Sequence, residues 1–493
     1  MDTKAIAEQT RLMNAATDYK AWYAYALGLD VLEGMESWKG HPASHYYQYE
    51  MLQNRLINLQ TLRKAGDWGQ LIYNLREGLH RNLSNLSNPD LYKHTYVGTK
   101  YLIDDYITEV VSLLNTICDN DIPELPQNEK ILFFKQTGQS FGRSALLLSG
   151  GANIGLFHMG VIKALHEQKL LPRVISGSSA GSIATALIGT HTDHELTTLF
   201  DPNTLDLDTW RWLSPREMLK QKSLMDNRQL EHAIRKNVGE YTFEEAFKRS
   251  KRIINITVSP VARNQMPRLL NYLTTPHLMV WSAALASCAV PGLFPPVTLM
   301  TKDRSGVEKP YMSSIKWVDG TLQSDLPTQR LSELYNVNHH IVSQTNPHVL
   351  PFVSDQSRKE RFGGFVLSLV KKEIQYRSKQ ILQLASYGIE PGMAKTLLDG
   401  TQALVEQHYY GDVTIHPKMQ MMDYLHILSH VSEYEFRQWL LAGERATWPK
   451  VAAIRDQTII GQTLEDCIQR LKRQARRRKE DSPLSTPAVP AEA

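Results

Sequence analysis

Val174-Ile175-Ser176-Gly177-Ser178-Ser179-Ala180-Gly181 starts as an apolar pair, breaks into a serine turn between two glycines, and leads into a helix-like run over residues 182–188. Strand, tight turn and helix in that order form the building unit of an α/β domain. A serine on such a turn stands at a helix N-terminus, where unpaired N–H groups and the helix dipole favour a developing oxyanion. Gly177 and Gly181 allow a strained backbone and close helix packing there. Taken alone, the same five residues also fit a small-residue turn with no chemistry, so their meaning depends on what surrounds them.

Upstream, Leu146-Leu147-Leu148-Ser149-Gly150-Gly151-Ala152-Asn153-Ile154-Gly155 is a second apolar strand that breaks into a glycine turn, followed by a helical run over 156–170. Glycines bring backbone N–H groups close to an anion, either the oxygen of a tetrahedral intermediate or a nucleotide phosphate. Ala152 breaks the G-x-G-x-x-G pattern and no Gly-Lys-Ser/Thr follows, which disfavours the phosphate. Downstream, Lys316-Trp317-Val318-Asp319-Gly320 delivers an aspartate from an apolar strand end onto a turn. Burial would raise its pKa and let it take a proton from a nearby serine, although an Asp-Gly pair by itself is an ordinary turn.

Further apolar runs at 131–134, 145–148, 253–258 and 341–343 read as strands, and with the helical stretches between them they predict an α/β domain over 131–350. Leu52, Leu56 and Leu59, then Tyr106, Val110, Leu113 and Ile117, recur at helical spacing and predict an all-helical N-terminal domain over 1–130. A stretch at 118–130 rich in Pro, Asp and Asn serves as its linker. Helical spacing returns at 365–384 and 424–439, a helical C-terminal extension over 351–470. Thr463 with Asp466 resembles a capping box opening a helix on which Leu464, Cys467, Ile468 and Leu471 share a face. Residues 471–493 read as a basic tail, rich in Pro, Ser and Ala from 482 and expected to be disordered.

Of 493 residues, 42% are hydrophobic and 22% charged, a globular composition that excludes a disordered chain. The net charge of +4 belongs to the tail: Arg470, Lys472, Arg473, Arg476, Arg477, Arg478 and Lys479 outweigh it, so the remainder is acidic. Cys118, Cys288 and Cys467 are far apart and lack metal-type spacing, so neither a disulfide framework nor a zinc site is expected, and a reducing, cytoplasmic setting fits. The polar start lacks an export signal. The most apolar windows, 21–32 and 362–370, are too short to span a bilayer, so membrane contact is expected to be peripheral.

The glycine turn, the G-x-S-x-G and the Asp-Gly, each at a strand end, together resemble the patatin-like phospholipase family over residues 143–345. The resemblance implies a three-layer α/β domain around a central, mostly parallel sheet. It also implies a Ser-Asp dyad without a histidine: Ser179 as nucleophile, Asp319 as proton acceptor, and Gly150, Gly151 and Ala152 as the oxyanion hole, with Gly177, Gly181 and Gly320 completing the motifs. Residues 149–160, Ala286-Ser287-Cys288-Ala289-Val290-Pro291-Gly292-Leu293-Phe294-Pro295-Pro296, residues 319–327 and residues 339–348, with the helical N-terminal domain, are similar to the triacylglycerol lipase branch over residues 1–420. That similarity implies hydrolysis of long-chain acyl esters, triacylglycerol ahead of phospholipid, with no metal or organic cofactor.

Ala152-Asn153 and Asp319-Gly320-Thr321 depart from the wider family, which usually has a third glycine and a basic residue at the first place and Asp-Gly-Gly or Asp-Gly-Ala at the second. Losing the cation leaves backbone N–H groups to carry more of the oxyanion's charge. A triad with His339, His340, His348 or His416 as base is the competing arrangement, and His158 reads as a packing residue. The apolar segment 283–296 fits either an acyl pocket wall or a buried helix followed by a turn. The expected partners are a lipid substrate and a membrane or lipid-droplet surface, not nucleic acid, which would call for aromatic interleaving of the basic run. Two rival activities remain at this level: acyl transfer to a lysophospholipid, and lipid binding with poor catalysis.

Overall fold

The computed structural model describes residues 2–221, 223–261, 265–321, 325–347, 349–350, 410–419 and 427–481. They fall into two compact units. One is helical, made of the described parts of Met1–Leu12, Ala24–Arg143 and Ala452–Ala493; the other comprises the described parts of Met13–Tyr23 and Ser144–Val451.

In the helical unit, helix Tyr101–Asp119 buries Ile103, Tyr106, Ile107, Val110, Leu113, Leu114 and Ile117 along one face. Leu52, Leu56 and Leu59 of helix Tyr49–Ala65 belong to the same core. Helix Trp68–Gly78 adds Leu71 and Leu75, and the side chain of Asp67 caps its first turn by accepting from Gln70 N. Residues 131–134 form no strand. They lie inside helix Gln127–Phe141, whose Lys130, Phe133, Phe134, Thr137 and Phe141 are buried at helical spacing. Because Phe133, Phe134 and Phe141 belong to the helical core, the unit ends near Arg143, and the linker expected at 118–130 is a turn within it.

The C-terminal end also departs from expectation. Helix Val451–Asp481 is continuous and sends Ile460, Leu464, Cys467 and Leu471 into the core of the N-terminal helices. The helix runs on past Leu471, so residues 471–481 are helical rather than disordered, and the last helix belongs to the helical unit rather than to an extension ending at 470. No helix opens at Thr463, whose hydroxyl donates to Ile459 O at 2.8 Å in mid-helix. The helical stretch expected at 365–384 and the tail at 482–493 lie outside the described residues, as does the start of 424–439; helix Glu433–Thr447 is described.

The second unit is built on a sheet of β1 (Arg143–Leu148), β2 (Val174–Gly177), β3 (Ile253–Pro260), β4 (Arg268–Asn271), β7 (Trp317–Asp319), β8 (Val337–Ser343) and β9 (Val413–Ile415), beside a small hairpin of β5 (Met300–Lys302) and β6 (Glu308–Pro310). Its order is β4-β3-β2-β1-β8-β9, with β7 also pairing β3. The β1–β2, β2–β3 and β8–β9 pairs are parallel; β4 and β7 run antiparallel to β3. β2 and β3 are buried along their whole length, as β1 is beyond its first residue, which a parallel sheet covered on both faces requires. One cover is made by helices Phe157–Glu167 and Glu433–Thr447, which meet at glycines. A Cβ at Gly160 would stand 1.9 Å from Leu440 O, and one at Gly443 would stand 2.2 Å from Phe157 O.

Register decides where the chemistry goes. Leu148 pairs with Gly177 and Gly177 with Ile256, so β1 and β2 end side by side. Asp319 pairs with Val258 two residues further along β3. The glycine turn, the serine turn and Asp319 thus emerge at one edge of the sheet, the carboxyl edge at which open α/β sheets bind ligands.

Candidate active site

Ser179 has φ 50 and ψ −124, a strained backbone for a residue with a side chain. The turn is held by its neighbours. Ser179 N donates to Ser287 Oγ at 2.9 Å, Ser287 Oγ donates to Thr257 O at 2.8 Å, and Ser182 Oγ donates to Ser179 O at 2.6 Å. The flanking glycines are sterically required: a Cβ at Gly177 would lie 2.2 Å from Gly181 O, and one at Gly181 would lie 2.2 Å from Leu148 O. Helix Ala180–Thr190 starts at the next residue and aims its N-terminus at the serine.

Asp319 is buried, its N–H donates to Ala289 O at 3.0 Å, and Thr321 N donates to its Oδ1 at 2.8 Å. Burial pushes the carboxyl up to about 6, while hydrogen bonds from Thr321 and from the Ser179 side chain hold it back. The Ser179 side chain thus lies beside the Asp319 carboxyl. Gly320 lets the strand end approach β3, since a Cβ there would meet the Thr257 backbone at 2.8 Å.

The glycine turn lies directly against the serine: a Cβ at Gly150 would be 3.3 Å from Ser179 Cβ. Its three residues are not equivalent. Gly150 N donates to Asp325 Oδ1 at 3.0 Å, so this N–H is committed to a carboxylate and is withdrawn from the expected set of three oxyanion donors. Gly151 and Ala152 begin the 3-10 turn Ala152–Leu156, where the first N–H groups have no acceptor within the turn. Ala152 has φ 47, a left-handed conformation that suits glycine better and costs an alanine about 1 kcal/mol.

Ser179 and Ala180 form part of the wall of a predominantly apolar pocket of about 140 Å³, lined also by Ile183, Leu187, Ile234, Leu293, Phe294 and Phe436. The segment 283–296 is a buried helix followed by a turn, and the turn reaches the pocket. Helix Val280–Ser287 is wholly buried, and Cys288, Val290, Leu293 and Phe294 beyond it reach the pocket. Asn153, where the wider family has a cation, ties the pocket's rim together. Its Oδ1 accepts from Trp210 Nε1 at 2.7 Å, its Nδ2 donates to Ser429 O at 2.7 Å, and Trp210 stacks on Phe294.

No histidine lines this pocket among the described residues. His158 is buried between Ser343 Oγ at 2.7 Å and Ser149 O at 2.9 Å, and burial lowers its pKa to about 4, which keeps it neutral. His339 meets Ser144 Oγ at 2.9 Å, at the start of β1 and so at the opposite end of that strand from the serine turn. The His340 ring lies 3.6 Å from Asp412, and His416 Nδ1 contacts Pro417 O at 3.2 Å. His348 lies outside the described residues. Ser287, Asp325 and Asn346 are neighbours of the site that sequence context did not single out; all three lie inside the quoted similar segments, which is the only signal they carried.

This pairing of a serine turn with an aspartate at the carboxyl edge of the sheet accords with family membership: the chain belongs to the patatin-like family, residues 146–331 matching the description Patatin-like phospholipase. Residues 2–139 match a second description, Domain of unknown function (DUF3336). Its relatives within the family include proteins named triacylglycerol lipases. It is 37% identical to Triacylglycerol lipase SDP1L of Arabidopsis thaliana, over 96% of this chain and 61% of that protein. It is 35% identical to Triacylglycerol lipase 4 of Saccharomyces cerevisiae, over 90% of this chain and 50% of that protein. Triacylglycerol lipase ptl3 of Schizosaccharomyces pombe is 33% identical over 91% of this chain and 94% of its own length. The chain thus spans half to about three fifths of the first two relatives and nearly all of the third. No helix among the described residues is long and apolar enough to cross a membrane.

Proposed function

We propose that this chain hydrolyses long-chain fatty acyl esters of lipids, triacylglycerol ahead of phospholipid, through a Ser179–Asp319 dyad. The observation that carries the reading is a strained Ser179 at the wall of an apolar pocket, with the buried Asp319 carboxyl beside it. With its pKa raised to about 6, Asp319 is ionised at neutral pH yet basic enough to accept a proton. It takes the Ser179 hydroxyl proton as Oγ attacks the ester carbonyl carbon, and the carbonyl electron pair moves onto oxygen. The N–H groups of Gly151, Ala152 and Ala180, first donors of two helical turns, stabilise that oxyanion, each such donor being worth about 3 to 4 kcal/mol of barrier.

Collapse of the tetrahedral species expels the alcohol, which takes the proton from Asp319. Water then gives a proton to Asp319 and attacks the acyl-Ser179 ester. A second collapse releases the fatty acid and returns the proton to Ser179. The relatives' names favour triacylglycerol as the ester.

Access to so insoluble a substrate is peripheral, at a membrane or lipid-droplet surface. The exposed Lys472, Arg473, Arg476 and Arg477 on the last helix support this, each worth about 1 kcal/mol beside an acidic leaflet. The test is a panel of triacylglycerols, phospholipids and lysophospholipids, with labelled lysophospholipid as competing acceptor and every lipid product identified. Free fatty acid from wild type and none from Ser179→Ala supports hydrolysis. Label accumulating in phospholipid would replace hydrolysis by acyl transfer.

A further inference from the structure

Asp325 is 1% exposed and joins three chain segments. Its Oδ1 accepts Gly150 N at 3.0 Å, its Oδ2 accepts Asn346 Nδ2 at 2.6 Å, and its carbonyl accepts Ser178 Oγ at 2.9 Å. Gly150 belongs to the turn after β1, Ser178 precedes Ser179 on the turn after β2, and Asn346 follows β8. Asn346 is itself held, its N–H donating to Gln344 Oε1 at 3.0 Å and its carbonyl accepting from Val349 N and Leu350 N.

We propose that Asp325, locked by Asn346, is a positioning residue that sets the glycine turn in register with Ser179 for the acyl transfer described above, a role that rests on that reading. Both carboxylate oxygens are occupied by donors of the protein itself, so Asp325 acts through Gly150 rather than on the substrate. Its leverage lies in where it pulls. Gly150 is packed against both Ser179 Cβ and Thr321, so a shift of Gly150 is transmitted to Gly151 and Ala152 on one side and to the serine on the other. Misplacement of reacting groups by about 1 Å is enough to lose roughly 100-fold in rate. Burial drives the Asp325 carboxyl up to about 7, and the hydrogen bonds from Gly150 and Asn346 oppose that rise, so the clamp is fastened by the same donors it orders.

The clamp has a polarity that can be exchanged. In Asp325→Asn the amide oxygen can still accept Gly150 N–H, but the new NH2 group faces the NH2 of Asn346, donor against donor. Adding Asn346→Asp restores an acceptor opposite it. Turnover of a p-nitrophenyl acyl ester is measured for wild type, Ser179→Ala, Asp325→Asn and the double exchange, with thermal melting of each. Asp325→Asn is expected to lose roughly 10- to 100-fold in kcat with KM little changed, and the double exchange to regain most of it. A double exchange that turns over no faster than Asp325→Asn, or an Asp325→Asn with wild-type kcat, overturns the clamp. If Asp325→Asn does not fold, the double exchange decides alone, high turnover supporting the clamp and low turnover overturning it. Undiminished turnover in Ser179→Ala would instead sink the underlying serine mechanism, so the two failures are told apart.

Discussion

The turns that follow β1 and β2 share a local grammar. Each ends a buried parallel strand, each is rich in glycine and serine, and each opens a helical segment. They differ in what their polar groups do. The turn after β2 holds a side-chain-bearing residue in strained backbone and presents its hydroxyl to a pocket. The turn after β1 gives its Gly150 N–H to a buried carboxylate and leaves those of Gly151 and Ala152 at the start of a 3-10 turn. In the proposed mechanism one turn supplies the reacting atom and the other supplies fixed dipoles, so similar sequence texture would serve opposite electrostatic tasks.

The largest effect expected from breaking this division is on turnover. Ser179→Ala and Asp319→Asn should each lower ester hydrolysis by roughly 10⁴-fold or more while the fold persists, whereas His340→Ala should not, as read by activity together with circular dichroism. Next in size is a gain of stability that accompanies one of these losses. Burial raises Asp319 from 3.8 to about 6, so the folded state disfavours its ionised form. That penalty is complete above pH 6, shrinks between about 6 and 4, and is gone below. Asp319→Asn should therefore be up to about 3 kcal/mol more stable than wild type at pH 8, with the advantage vanishing near pH 4 in denaturant titrations.

Backbone strain separates the two turns on a smaller scale. Ser179→Gly should be inactive yet about 1 to 3 kcal/mol more stable. Ala152→Gly should gain only about 1 kcal/mol and keep its activity. Equal behaviour of the two glycine variants in melting and turnover would erase the distinction between the turns. Smallest is the change at the rim. Trp210→Ala removes the ring that stacks on Phe294 and anchors to Asn153, and it should shift the preferred acyl length by a few-fold in kcat/KM rather than abolish turnover.

What the sequence made legible was local. Apolar pairs ending in glycine or serine turns marked the ends of β1, β2 and β7, because strand length and turn chemistry are short-range properties. The run 131–134 misled because four apolar residues fit a strand and a helix equally. The helical repeat through Lys130, Phe133, Phe134, Thr137 and Phe141 shows only over a longer window. The return of Leu464, Cys467 and Leu471 to the N-terminal core, and the bond from Gly150 to Asp325, join residues far apart in the chain with no shared motif.

The most direct test of the dyad is the rate at which a fluorophosphonate labels Ser179, measured between about pH 4 and 8 in wild type and in Asp319→Asn. Wild-type labelling should rise through about pH 6 and level off above it, as Asp319 ionises. Asp319→Asn should label slowly with no such rise. Labelling of Asp319→Asn at the wild-type rate, or an unchanged inflection after the substitution, would contradict Asp319 as the proton acceptor.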